Sequence, residues 1–177
     1  ADAALRDSRK RRSSAVPVMR HLATQGVPTG LVIFGAAERP AGIPDTIPVH
    51  ALGSITDEAR LAKLYAACDV FLAPSKQENL ANTVLEAMAC GTPSVAFATG
   101  GMNEAIEHGR TGLLARVGDD SDLAAIAQAV LTDATLRREL AEGARARALH
   151  QFDLRTQAEK YITLYREKLE SAPGTDA

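Results

Sequence analysis

Apolar residues along this chain follow two alternating rhythms. Leu31-Val32-Ile33-Phe34, Asp69-Val70-Phe71-Leu72-Ala73 and Ser94-Val95-Ala96-Phe97 are short runs with little polar alternation, the pattern of strands buried on both faces. Pro48 to Leu52 and Gly112 to Arg116 are weaker runs of the same kind. Between them the apolar spacing becomes three and four: Val16, Met19 and Leu22, then Leu61, Leu64 and Tyr65. Helices are therefore predicted from Ala15 to Thr24, from an N-cap at Thr56, from Asn82 to Cys90, and from Asn103 to His108. Gly26 with Pro28, Gly91 and Gly109 supply the stops. Beyond Arg116 the rhythm is helical throughout, on Leu123, Ile126, Ala127, Val130 and Leu131, on Leu136, Leu140 and Ala144, and on Ala158, Tyr161, Ile162, Tyr165 and Leu169. Strand alternating with helix predicts the α/β class, a doubly wound parallel sheet of Rossmann-like type with right-handed crossovers.

Five strands are counted, beginning with Leu31. A Rossmann-like half normally opens with a strand ahead of its first helix, and no apolar run precedes Arg6. The expectation is that the first strand lies upstream in a longer parent protein, and Ala1, not a natural start, points the same way. Residues 1–170 are read as one domain and 171–177 as a tail.

The stretch from Pro74 to Gly101 organises the rest. Pro74 and Ser75 stop a strand, a polar loop carries Glu78, and a helix starts near Asn82. That arrangement aims a helix N-terminus at the C-terminal edge of the sheet, where open α/β sheets bind ligands and where anions are favoured.

Composition narrows the function classes. The chain has 177 residues, 46% hydrophobic and 24% charged, enough for one full core. Its net charge of −2 gives no global attraction to nucleic acid or to an anionic membrane. No apolar run approaches the roughly 20 residues that span a bilayer, and the first residues do not have a signal-peptide pattern. Cys68 and Cys90 lack metal or redox spacing and are read as small core residues. His21, His50, His108 and His150 show no ligand spacing either. Phosphate-binding loops of the P-loop and dinucleotide types are absent from the sequence.

Glu78 and Glu86, with seven residues between them, stand in a specific context. Glu86-Ala87-Met88-Ala89-Cys90-Gly91-Thr92-Pro93 follows, then Gly100-Gly101 with Glu104, and Gly109-Arg110-Thr111-Gly112-Leu113-Leu114. With Leu64-Tyr65-Ala66-Ala67-Cys68-Asp69-Val70 upstream, this wording resembles the retaining glycosyltransferases of family 4 (group 1), best from about Leu31 to Leu169. The resemblance implies the C-terminal, donor-binding half of a two-domain GT-B fold. It implies a nucleoside-diphosphate sugar as donor, no cofactor, no dedicated metal, and an acceptor held by an N-terminal domain. It implies a cytoplasmic enzyme, at the inner face of the membrane if the missing domain makes membrane contact.

Residue roles follow from the same resemblance. Glu86 accepts hydrogen bonds from the ribose hydroxyls of the donor, and Glu78 contacts hydroxyls of the transferred sugar. Backbone N–H groups of Asn79, Leu80 and Ala81, with Asn82 and Thr83 at the helix start, face the sugar and phosphates. Gly53, Ser54 and Ile55 border the base. Lys10, in Arg9-Lys10, stands where the family has a diphosphate-binding Lys, although Arg11 replaces the usual Gly.

Plainer readings compete at several positions. Thr83-Val84-Leu85-Glu86 is formally a capping box, which would turn Glu86 back on its own helix, but leaves the match at Glu78, Asn79 and Leu80 unexplained. Glu78 by itself is a solvated loop carboxylate, and the basic residues from Arg6 to Arg12 are by themselves a solvated segment. A nucleic-acid patch there would lack interleaved aromatics for stacking. Asp120-Ser121-Asp122 has the D-x-D form of a metal site but opens an apolar-periodic helix, so capping explains it. Two other functions share these features: a sugar-nucleotide enzyme of the same fold that is not a transferase, such as an epimerase or phosphorylase, and a domain that only binds a nucleotide sugar.

Overall fold

A computed structural model of the protein describes residues 2–6 and 12–170, with side chains from residue 14 onward. In chain order the elements are β1 (Asp2–Arg6), α1 (Arg12–Thr24), β2 (Gly30–Phe34), β3 (Val49–Ala51), α2 (Glu58–Ala66), β4 (Val70–Ala73), α3 (Asn82–Ala89), β5 (Ser94–Phe97), α4 (Met102–Ala105), β6 (Gly112–Ala115), α5 (Asp120–Thr132), α6 (Ala134–Gln151) and α7 (Leu154–Glu170). The strands form one parallel sheet in the order β3-β2-β1-β4-β5-β6.

The first strand is present, which corrects the expectation that it lay upstream. β1 sits at the centre, pairing Asp2 to Arg6 with Gly30 to Phe34 on one side, and Ala3 and Ala4 with Val70 and Phe71 on the other. Asp2-Ala3-Ala4-Leu5-Arg6 has one large apolar residue between charged ends, so it carries no hydrophobic-run signal. Its strand state comes from a hydrogen-bonded neighbour on each edge, a non-local cause that overrides local preference. The other five strands lie where the apolar runs place them. The strand order reverses between β1 and β4, so the crevice beyond their C-terminal ends is the topological switch point of the sheet.

Strand alternation sorts the core into two layers. Leu31, Ile33, Val70, Leu72, Val95 and Phe97 face one side with Val18, Met19 and Leu22 of α1 and Leu123, Ala127 and Val130 of α5. Val32, Phe34, Phe71, Ala73 and Ala96 face the other, against Tyr65 of α2, Val84 and Met88 of α3, and Ala144 and Ala148 of α6. Both faces are covered, which is why these strands read as continuous apolar runs.

Helices α1, α2, α4 and α7 depart from expectation, α1 by starting at Arg12 and not Ala15. Asp57, not Thr56, caps α2: its Oδ1 accepts from Ala59 N at 2.9 Å and Arg60 N at 3.2 Å. A carboxylate one position closer to the helix is the stronger charge on the N-terminal dipole. α4 stops at Ala105, because Ile106 turns extended and Glu107 N donates to the Thr111 hydroxyl. α7 forms over the predicted stripe yet buries none of its residues, and Tyr161, Tyr165 and Leu169 stay exposed.

Candidate functional site

All six strands run the same way, so every loop leaving a strand emerges on one edge of the sheet. Gly53, Ser54 and Ile55 follow β3, the loop with Glu78 follows β4, and Gly100-Gly101 follows β5. The stretches singled out from sequence are thereby gathered on one edge. Lys10 lies in the segment after β1 and outside the described residues.

The loop from Pro74 to Ala81 is held from beneath. Thr99 Oγ1 donates to the Lys76 carbonyl at 3.3 Å. A Cβ placed on Gly100 would lie 1.9 Å from the Glu78 carbonyl oxygen, and one on Gly101 would lie 1.8 Å from that of Asn79. Backbone therefore rests on backbone with no room for a side chain. Lys76 Nζ reaches Asp120 Oδ1 at 3.9 Å, which links the loop to the first turn of α5. Glu78 is half-buried on this platform, while Asn79 and Leu80 are exposed.

α3 begins at Asn82 with Ala81 as its N-cap residue, and no side chain caps it. An alanine has no acceptor to offer, so this end keeps its N–H groups for water or an anion. Asn82 is exposed, whereas the side chains of Ala81 and Thr83 are buried. Of the predicted donor-binding set, Ala81 and Thr83 can therefore present backbone only. Thr83 lies inside the helix and does not cap it, which excludes the capping box with Glu86.

Glu86 turns instead toward α2. Its Oε2 accepts from the Tyr65 hydroxyl at 2.9 Å. The two side chains flank a cavity of about 310 Å³ between α2 and α3, with Leu61, Ala62, Ala89 and Cys90 also on its walls. Burial pushes the Cys90 thiol above its ordinary pKa, so it holds its proton at neutral pH. Cys68 is buried as expected, but Cys90 is half-buried at the C-cap of α3 and lines this cavity.

The loop after β3 is fixed by its neighbour after β2. Gly35 N donates to the Gly53 carbonyl at 2.8 Å, and Gly53 N to the Ala36 carbonyl at 3.0 Å. Ser54 is exposed and Ile55 packs on the core layer beneath α2 and α3.

The carboxylates of Asp119 and Asp122 have structural partners. Asp119 caps α5, accepting from Ser121 N at 3.1 Å and Asp122 N at 3.0 Å. Asp122 Oδ2 accepts from Arg116 N at 2.8 Å. The cap is thus one residue earlier than the D-x-D run. Among the described residues no three His, Cys, Asp or Glu side chains are grouped to hold a metal ion. No described helix is long and apolar enough to cross a membrane.

Sequence reasoning missed two side chains that reach the site residues. Lys76 was given no role, and its pairing with Asp120 spans 44 residues of chain, beyond any local pattern. Tyr65 was read only as part of an inward stripe; the signal for more was the hydroxyl itself, which needs a partner when the ring is buried.

Comparison with known proteins identifies the group. The family described as Glycosyl transferases group 1 matches residues 6–133. The N-acetyl-alpha-D-glucosaminyl L-malate synthase of Bacillus anthracis is 38% identical over 109 residues, 62% of this chain and 29% of that protein. HepE of Anabaena, solved in complex with UDP-glucose, superposes with a TM-score of 0.76 at 25% identity, covering 94% of this chain and 48% of that one. The C-terminal domain of the group 1 glycosyl transferase LpcC of Francisella tularensis superposes with a TM-score of 0.71 at 18% identity, covering 86% of each chain, a likeness of fold. The chain spans about a third or less of the curated relatives it matches and about half of HepE. The structural neighbours are GT-B glycosyltransferases, and the likeness is to their C-terminal domain. With its parallel sheet, its loop-borne glutamate and its uncapped helix at the switch point, the chain belongs to the group 1 glycosyltransferases.

Proposed function

We propose that this chain is the donor-binding, C-terminal half of a retaining glycosyltransferase acting on a nucleoside-diphosphate sugar. The observation that carries the reading is the convergence of the Glu78 loop, the uncapped start of α3 and the Gly53–Ile55 loop on one sheet edge. The UDP-glucose held by HepE supports the same ligand class here.

In this reading Glu86 accepts from the ribose hydroxyls, since a carboxylate offers acceptors to two neighbouring donors. Glu78 takes hydroxyls of the transferred sugar and so orients its anomeric carbon. The diphosphate lies against backbone N–H groups from Asn79 to Thr83, Lys10 is a further candidate partner for it by resemblance, and Gly53, Ser54 and Ile55 border the base. Departure of the diphosphate is the main electrostatic demand of transfer, so these donors lower the barrier more than any acid or base. No cofactor or metal is assigned. The acceptor is held by an N-terminal domain of the parent protein, which acts in the cytoplasm.

Titration calorimetry with UDP and UDP-glucose tests the division of labour. Glu86→Ala should weaken both ligands about 10- to 100-fold, the scale of hydrogen bonds to a charged group. Glu78→Ala should weaken UDP-glucose while sparing UDP. If both variants lose UDP equally, the assignment of sugar and ribose to separate glutamates is wrong.

A further inference from the structure

Glu86 is a long side chain with several rotatable bonds, half-buried at the rim of a cavity, and a ligand that used it unaided would have to order it. The structure has already ordered it. The Tyr65 hydroxyl donates to Oε2 at 2.9 Å, and Tyr65 is itself among the largest fully buried side chains of the protein. Its ring is 1% exposed and stands edge-on between Phe34 and Phe71, with centroid distances of 5.6 and 5.5 Å. Its carbonyl accepts from the Thr92 hydroxyl at 2.7 Å and from Cys68 N at 2.9 Å. α2 is thus fastened at both the ring and the backbone, and the one polar atom of that ring points across to α3.

The bond engages a single carboxylate oxygen. Among the described residues Oε1 has no hydrogen-bond partner, and it is not sealed from solvent, so it is an acceptor for a ligand. A tyrosine that merely needed a partner could have used a backbone carbonyl or water. Here it meets the one carboxylate of α3, and it holds that side chain away from its own helix backbone.

We propose that Tyr65 is a positioning residue for nucleotide recognition, acting through Glu86 to present Oε1 to the ribose hydroxyls. The proposal rests on the reading of Glu86 as the ribose acceptor and extends it to a residue outside the loop-and-helix unit that carries the two glutamates.

Tyr65→Phe keeps the ring between Phe34 and Phe71 and removes only the hydroxyl, so the core is retained. The chain, Tyr65→Phe, Glu86→Ala and the double variant are titrated with UDP and with 2′,3′-dideoxy-UDP, beside melting curves. Tyr65→Phe should weaken UDP about threefold to tenfold, the range for losing one hydrogen bond to a carboxylate's support. It should leave the dideoxy ligand unchanged and add nothing in the Glu86→Ala background, because its effect passes through the carboxylate. Unchanged UDP affinity in Tyr65→Phe, with Glu86→Ala still weakened, overturns the positioning role and leaves the ribose reading standing. Equal weakening of both ligands also overturns it, since a general loosening of the fold ignores the ribose hydroxyls. Unchanged affinity in Glu86→Ala overturns the ribose reading and this inference together. GDP and ADP with their dideoxy forms replace UDP if the chain prefers them; failure to bind any of the three overturns both.

Discussion

Gly101 has a φ of −67°, which any residue adopts, yet no other residue fits there. A Cβ would stand 1.8 Å from the Asn79 carbonyl oxygen and 3.2 Å from Leu80 Cα, both backbone atoms that cannot rotate away. Gly101→Ala should therefore lift the Glu78 loop off its platform. The expected cost is roughly 1–3 kcal/mol of stability, the range for overpacking. Affinity for UDP-glucose should fall with it, and melting curves with donor titration check both; a variant that melts and binds like the parent would show that the loop does not depend on this contact. At this scale the placement of the two glutamates, Glu78 on the loop after β4 and Glu86 on α3, was legible in the sequence because the signals for both are local. The crowding under Gly101 was not, since Gly100-Gly101 reads equally well as a tight turn. Nor was the Tyr65–Glu86 bond, which joins residues 21 positions apart on different helices and leaves no periodic trace.

Among the elements, helix starts show what local chemistry decides and what it leaves open. Asp57, Asp119 and Asp133 each accept from two backbone N–H groups at the start of α2, α5 and α6, while α3 has none. No side chain caps α4 either, and α3 is the longer of these two helices and the one that faces the proposed donor. The Asp119 carboxyl is held below its ordinary pKa, chiefly by the backbone N–H of Asp122, then by the Ser121 hydroxyl, with Arg116 also contributing. A depressed folded pKa means stability that is present above the ordinary carboxylate pKa of about 3.9 and lost as pH falls through the folded value. Asp119→Ala should lower Tm at pH 7 by about 2–4 °C, the scale of one N-cap in a chain this long. The gap between variant and parent should narrow steadily below pH 4. Melting curves between pH 7 and pH 2.5 check this, and a gap that does not change with pH would contradict it. The five apolar-run strands were readable because burial on both faces writes itself into sequence. β1 was not, because a central strand of small and charged residues is specified by its neighbours' edges.

Over the whole molecule, the sheet order fixes where chemistry can occur. The reversal between β1 and β4 opens the switch-point crevice, and the loops after β3, β4 and β5 line the same edge. The opposite edge is made of loops that enter strands, such as 26–29, 67–69 and 91–93, which carry none of the proposed contacts. α7 extends from this body with its apolar stripe exposed. The α/β class and parallel sheet were evident from the alternation of rhythms, but the central position of β1, and with it the location of the switch point, emerged only from the pairing. The most direct test of the site is hydrogen–deuterium exchange of the chain with and without saturating UDP-glucose. Exchange should slow at 53–55, 78–84 and 100–101 and stay unchanged at 26–29, 67–69, 91–93 and along α7. Protection of the strand-entry edge, with none at 78–84, would contradict the account.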